Sequence, residues 1–393
     1  MAEGRSIAAR RGAKHVLALV HGWVGVVCSL FIFLIAATGV GLAFFGEMTE
    51  IQYGDMVRAP AAPDADIGAI IAAAEAGHPQ LQTAGLFMPD TRIEGLETAL
   101  VHGPSAAAET GYMMVSVDAG TATYKGAFEL HHLFAHEFND FHFSLLMGDV
   151  LQTIIAIVGV LLIVFVLTGL YLWWPRRGSA GRKLIDFRRR GRLLPVLFNW
   201  HGLAGIWIGI LVLLYAVTGI GLSKPDWLGP ATAQVDEPAA WDARFRTDCG
   251  DSVTASQAAA QALAAFPGHE ITSFDIVRGD ENKYMVSLRD AGDWNVRFGD
   301  AHAEVHAQCA GEMWTTTLAQ QNAPAIFGTL MLSLHGGHIF GALQEVATVL
   351  TGLGLMLLSG SGVYIFFKRT LPAQASRKAM KRNRKMDVAH PAE

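Results

Sequence analysis

Four stretches of the chain stay apolar for longer than a half-buried strand or the stripe of a surface helix allows: residues 16–45, 145–174, 196–222 and 343–367. A helix crosses a bilayer in roughly 20 residues, so each stretch predicts one transmembrane span. The first has the position of a secretory signal. Its apolar run is too long for one and no small-residue cleavage site follows, so it reads as a retained anchor. Each of the two long connections predicts a small α+β domain. In the first, 67–76 is helical and 96–102, 112–117 and 121–125 alternate like strands; in the second, 256–266 is helical and 271–277, 284–288 and 295–298 alternate. The expected organisation is therefore a first span within 1–45, an outer domain over 46–141, a second span within 142–174 and a basic loop over 175–195. A third span within 196–222, a second outer domain over 223–334, a fourth span within 335–367 and a basic tail over 368–393 complete it.

Composition agrees. Hydrophobic residues make up 51% of the 393 and charged residues only 17%, against about 25% charge in soluble proteins, which excludes an ordinary soluble enzyme and a disordered chain. The net charge of −5 hides an asymmetry: 20 of the 30 Lys and Arg residues lie in 1–15, 175–195 and 368–393. Those segments must share one side of the membrane, and an excess of Lys and Arg marks the cytoplasmic side. Both termini are thus expected in the cytoplasm of a bacterial inner membrane, with the two long connections in the periplasm and no nucleic-acid partner. Three cysteines rule out a disulfide scaffold, and no CxxC pair suggests zinc or an iron–sulfur cluster. Cys249 and Cys309 both fall in the second outer region, where oxidation is possible; their pairing stays open.

A search for repeats changes the picture. The first and third apolar segments align without a gap at an offset of 180, matching His21 with His201, Gly22 with Gly202, Gly25 with Gly205, Thr38 with Thr218, Gly39 with Gly219 and Gly41 with Gly221. The second and fourth align at an offset of 193, matching His142 with His335, Gly148 with Gly341, Gly159 with Gly352, Gly169 with Gly362 and Tyr171 with Tyr364, with Thr168 opposite Ser361. The expected fold is a mainly α membrane protein of four transmembrane helices in two parallel repeats, each with a small α+β domain between its helices. Parallel repeats share an approximate axis along the membrane normal, so His21 is expected to oppose His201 near the cytoplasmic face and His142 to oppose His335 near the outer face.

An ionisable residue inside a span is costly and rare. The plain reading of each histidine is a neutral imidazole bonded to a carbonyl or a Ser/Thr on the next helix; the alternative is a ligand. Four at duplicated positions favour ligands. Two imidazoles per site are too few for structural zinc, and no Cys or carboxylate lies at helical spacing to complete one. They suit the two axial positions of haem, which brings four equatorial nitrogens of its own. Gly22, Gly25, Gly202, Gly205 and, beside His335, Gly336 and Gly337 would clear room for a flat macrocycle, although close helix packing uses small residues too. Two such haems, with ligands roughly 25–35 Å apart in height at 1.5 Å per helical residue, would form an electron wire.

The neighbouring polar residues have two readings each. HHLFAHEFNDFH gathers His131, His132, His136 and His142, and His338 follows His335. The repeat register selects His142 and His335, since His136 falls opposite Thr329. Exchange of one outer ligand for another of these histidines stays open, as does a surface metal site or a solvated stretch. Arg11, Lys14 and Arg192 are candidates for haem propionates or simply the topology signal. Asp149, Gln152 and Glu345 are candidates for substrate or proton contacts or solvated helix ends, and Trp173 and Trp174 for interfacial anchors.

The motifs LVHGWVG…TGVGL, FHFSLLMGDV…LTGLYLWWPRR, NWHGLAG…TGIGL and LHGGHIFGALQE…SGSGVYIFFKR resemble the PepSY-associated transmembrane proteins over nearly the whole chain. SVDAGTATYKG is similar to the closing strands of a PepSY domain, and the second outer region matches loosely. Within that family the nearest functional comparison is the FoxB-type inner-membrane ferric-siderophore reductases, which bind two b-type haems. The resemblance implies His21, His201, His142 and His335 as haem ligands, a ferric siderophore as periplasmic substrate, and a separate cytoplasmic or membrane electron donor, since no dinucleotide or flavin fingerprint is present. Two other classes compete: a non-enzymatic PepSY membrane protein that binds or regulates a periplasmic partner, and an iron, copper or siderophore permease. The spans show no Pro-broken pair and no midplane carboxylate of the kind transport would use.

Overall fold

A computed structural model describes residues 2–59, 65–91, 93, 95–174, 184–229, 248–279, 281–290, 299–337, 339–370, 372 and 376. The expected strand over 295–298, the start of the basic loop and most of the basic tail lie outside them. The helices are α1 (Ala2–Leu42), α2 (Phe45–Tyr53), α3 (Ile67–Gly77), α4 (Phe134–Ser144) and α5 (Gly148–Trp173). They continue as α6 (Leu193–Trp207), α7 (Gly209–Ser223), α8 (Ala255–Ala265), α9 (Ala323–Gly336) and α10 (Ala342–Ile365). Two compact units result, one of residues 1–40, 142–224 and 349–393, the other of residues 41–141 and 225–348.

In the first unit three helices are long and apolar enough to cross a membrane, over Gly12–Leu42, Gly148–Trp173 and Ala342–Arg369. The pair α6–α7 makes a fourth when its two arms, bent by 61° at Ile208, count as one span. The 26 residues of α5 rise about 39 Å at 1.5 Å each, enough for a hydrocarbon core of about 30 Å. Apolar side chains cover the outside, as a lipid-facing surface requires, and small residues let the helices approach. Cys28 and Ile32 of α1 pack on Val158 of α5. A Cβ on Gly352 of α10 would lie 3.2 Å from the Ala36 carbonyl, and one on Gly159 of α5 would lie 3.0 Å from Ile220 of α7. Gln152 of α5 donates to the Ser223 carbonyl at 3.1 Å. α1 thereby meets α5 and α10, and α5 meets α1 and α7.

The second unit holds one antiparallel sheet of eight strands in the order β4-β3-β2-β1-β5-β6-β7-β8. The first four are β1 (Gly85–Phe87), β2 (Ala99–Pro104), β3 (Tyr112–Asp118) and β4 (Thr123–Phe128). The others are β5 (Glu270–Val277), β6 (Lys283–Arg289), β7 (Ala301–His306) and β8 (Met313–Thr317). Each long connection contributes a helix followed by a four-strand meander, and β1 pairs with β5 to join the two meanders. The sequence expects a separate domain in each connection; the structure lays both over one core. Ile70, Ala74, Val101, Val115, Ala258, Phe274, Val286 and Val305 all belong to it. Ser256 at the start of α8 donates to Asp66, which caps α3 by accepting from Ala69 N–H.

The opposite face differs between the halves. Leu100, Met114 and Phe128, which alternate with the core residues, meet Val57 and Leu133 in a second apolar cluster. The corresponding face of β6 and β7 carries polar residues: Lys283 pairs with Glu304 at 2.8 Å, and Ser287 meets His302 at 3.2 Å. Burial pushes His302 below the usual imidazole range. Cys249 and Cys309 are joined as a disulfide, closing a loop between residues 60 apart in sequence.

Candidate functional site

Three of the four duplicated histidines lie in the first unit, and all three are held alike. His21 of α1 places Nδ1 2.9 Å from the Thr168 hydroxyl of α5. His201 of α6 places Nδ1 2.9 Å from the Ser361 hydroxyl of α10. His142, at the end of α4, places Nδ1 3.1 Å from the Thr38 hydroxyl of α1. Each hydroxyl also donates to the carbonyl four residues earlier: Thr168 to Val164 at 2.7 Å, Ser361 to Leu357 at 2.6 Å and Thr38 to Leu34 at 2.9 Å. A hydroxyl has one hydrogen. With it committed to the helix backbone, the oxygen accepts from imidazole Nδ1–H.

A glycine follows each hydroxyl residue. A Cβ on Gly169 would lie 3.6 Å from Cε1 of His21, one on Gly362 3.3 Å from Cε1 of His201, and one on Gly39 3.1 Å from Cε1 of His142. The Ser/Thr–Gly pair is thus a seat: the hydroxyl takes Nδ1–H and the missing side chain admits the ring edge. Nε2 of His21 and of His201 has no hydrogen-bond partner among the described residues. An imidazole fixed through Nδ1–H presents its Nε2 lone pair, the arrangement metal-ligating histidines use.

The fourth pair, Thr218–Gly219, repeats the pattern, with the Thr218 hydroxyl donating to Leu214 at 2.8 Å. His335 belongs to the second unit, on α9 and not on the spanning helix the sequence expects. Gly337, at φ 92°, ends that helix. Gln344 then accepts from Ile339 and Phe340 N–H at 3.0 and 3.2 Å and donates to the Leu334 carbonyl at 2.9 Å, fixing the turn that follows His335. Sequence reasoning quoted Gln344 only within the motif LHGGHIFGALQE and gave it no role. His142 likewise sits on a short helix, ended by left-handed backbone at Leu145 and Leu146.

The remaining candidates sort plainly. Gly22 and Gly202 were expected to leave room for a flat group; a Cβ there would meet the Phe366 ring at 3.1 Å and the Trp173 ring at 2.9 Å, so each glycine admits an aromatic side chain. Gly25 has no heavy atom within 4 Å of such a Cβ, and Gly205 only Leu358 at 3.8 Å, so the room lies one turn further along each helix. Gly336 is the last residue of α9. Lys14 lies over the Tyr171 ring at 4.9 Å and donates to the Tyr171 carbonyl, and Arg192 flanks α6 exposed. Trp174 is exposed at the end of α5, while Trp173 packs on Gly202. Asp149 and Glu345 lie in the first turns of α5 and α10. His338 and the Arg11 side chain fall outside the described residues.

The family model for the PepSY-associated TM region matches residues 18–369. The chain belongs to this family. With its long apolar helices, that membership makes it a multi-pass membrane protein. A comparison with curated proteins finds no match. The match takes in both units and all four duplicated histidines of the family member described here.

Proposed function

We propose that the chain is a di-haem b oxidoreductase of the bacterial inner membrane, with four spans in two parallel repeats and PepSY-like segments in the periplasm. It passes electrons across the membrane, reduces ferric siderophores and releases Fe(II). The reading rests on one observation above all: His21 and His201, matched by the repeat, are each anchored through Nδ1 by a hydroxyl that the repeat also matches. In both copies the bond is made through Nδ1 and leaves Nε2, the nitrogen a metal would take, without a hydrogen-bond partner among the described residues.

His21 and His201 would hold one b-type haem, and the repeat assigns His142 and His335 to the other. Haem held by two imidazoles would supply one-electron transfer. The chain's own residues do the rest. Thr168 and Ser361 keep the proton at Nδ1 and set the ring rotation, so Nε2 stays a basic ligand. Gly25 and Gly205 leave room beside their histidines, and the apolar spans exclude water. A ferric siderophore fits as substrate because its hard oxygen donors hold Fe(III) far better than the less charged Fe(II). Outer-sphere reduction needs no nucleophile or proton shuttle, and none is singled out here. A separate donor must deliver electrons on the cytoplasmic side, where the Lys/Arg bias puts both termini.

One observation favours a second reading, a PepSY membrane protein without redox activity: Gly22 and Gly202 are filled by aromatic side chains, as in ordinary helix packing. A single experiment separates the two. The purified full chain is reduced, freed of reductant, and mixed anaerobically with a ferric hydroxamate in the presence of a ferrous-specific chelator. Reoxidation of the haem bands with matching appearance of the Fe(II) complex is expected. No reoxidation above the rate of a His21→Ala/His142→Ala control would reject reductase function.

A further inference from the structure

The second unit brings together three groups that the haem reading does not use. His131 lies in the 3-10 turn Leu130–His132, and His136 and Asp140 lie one turn apart on α4. One ligand atom from each falls within 4.8 Å of the other two. His136 Nε2 is 3.6 Å from Asp140 Oδ1, and the His131 and His136 rings are 4.8 Å apart by centroid. Around a tetrahedral ion with bonds of about 2.1 Å, neighbouring ligand atoms are about 3.4 Å apart. The widest separation allowed, 4.8 Å, exceeds that by about 1.4 Å, a distance that side-chain rotation spans.

The backbone that carries these groups is held from several directions. Glu129, just ahead of the turn, accepts from Glu109 N–H, Thr110 N–H and the Thr110 hydroxyl at 2.7–2.9 Å. Gln52 donates to the His132 carbonyl at 2.6 Å and accepts from Phe134 N–H at 2.8 Å. Leu133 is fully buried in the cluster with Val57 and Phe128. The turn and the first residues of α4 are therefore fixed against one another, and such support is what separates a ligand set from a loose surface group of histidines.

We infer that His131, His136 and Asp140 form a binding site for a divalent first-row transition-metal ion. Two neutral imidazoles and one carboxylate suit Fe(II), Co(II) and Zn(II), whereas Mg(II) and Ca(II) prefer all-oxygen sets. Three protein ligands leave at least one position for water or a further ligand. The half-exposed setting, with His131 exposed and the other two partly buried, gives an ion a way in. His142, two residues beyond Asp140, stays with Thr38 and is not part of the set.

The test uses the full chain in detergent, purified without a polyhistidine tag, with Co(II) as probe. Equilibrium dialysis with elemental analysis counts bound cobalt, and X-ray absorption at the cobalt edge reads imidazole ligation. One Co(II) per chain is expected, displaced by Zn(II) but not by Mg(II), with affinity lowered at least tenfold in His131→Ala, His136→Ala and Asp140→Asn. A His78→Ala variant, changed elsewhere on the same unit, should bind as the wild type does. Haem content should be unchanged in all of them, which keeps this result separate from the redox proposal. No cobalt retained above a His131→Ala/His136→Ala double variant would overturn the inference. Undiminished binding in all three variants would overturn it too, as would loss of haem in any of them, since the residue would then be a haem ligand.

Discussion

His21 and His201 differ from His142 and His335 in how the chain delivers them. The first two lie on α1 and α6, within segments that cross the apolar unit, and their hydroxyl partners lie on spanning helices as well. His142 and His335 sit near the ends of short helices, α4 and α9, each followed by a left-handed break before the span begins. The seat is the same where it is seen: a Ser or Thr for Nδ1 and a glycine for the ring edge. What changes is the support. Spanning helices carry both members of the first pair, whereas the second pair sits on short helices that end in left-handed turns. The second site should therefore tolerate less change around it.

The largest expected effect is at the ligands. His21→Ala or His201→Ala should remove one of two haems and leave the other, while His142→Ala or His335→Ala should remove the other one. Pyridine haemochrome quantitation reads this directly, and four variants that all retained two haems would break the pairing.

Next come the glycine seats. Alanine at Gly39 should disturb His142 most, at Gly362 less and at Gly169 least, following Cβ approaches of 3.1, 3.3 and 3.6 Å. Haem occupancy after detergent purification, with the low-spin EPR signal as the finer gauge, should fall in that order.

Removing the hydroxyls should do less. Thr168→Val and Ser361→Ala leave Nδ1–H without its acceptor and the ligand less electron-donating. The midpoint potential of the first haem should rise, by roughly a few tens of millivolts for a hydrogen bond of about 1 kcal/mol. The second haem should not move. A redox titration that showed both haems shifting equally would erase the distinction between the sites.

The smallest effect lies far from either pair, on the seam between the two meanders. Burial raises Asp275 from 3.8 to about 6. Its Oδ1 is 3.7 Å from His102 Nε2. A carboxyl raised in the folded state binds its proton more tightly folded than unfolded. Its contribution to stability is therefore fully present below about 4 and is lost as pH rises through about 6. Asp275→Asn should flatten that decline without changing haem content, as followed by thermal unfolding between pH 4 and 7.

Much of this was legible in the sequence because length and period carry it. The four apolar runs stand out by length, and the two offsets align the histidines without a gap. The offset of 193 also matched Thr168 with Ser361 and Gly169 with Gly362, and that of 180 matched Thr38 with Thr218 and Gly39 with Gly219, but a match in sequence does not say which helix faces which. Their role as seats needed coordinates. The break after α4 was hidden because apolar Leu145 and Leu146, not glycine alone, adopt the left-handed backbone. The bend at Ile208 has no proline to announce it. Strand β7 alternates alanine and valine with His302, Glu304 and His306 but has only Val305 as a β-branched residue and no aromatic one, and β1 has only three residues. The joining of the two meanders depends on the pairing of Gly85 with Asp275, residues far apart in the chain.

The central claim is that these duplicated histidines are haem ligands. A reduced-minus-oxidised visible spectrum of the full chain, expressed with ample haem supply and quantified as the pyridine haemochrome, tests it most directly. Two low-spin, six-coordinate b-type haems per chain are expected. A colourless protein would contradict the account and leave the Ser/Thr–Gly seats as packing for neutral histidines.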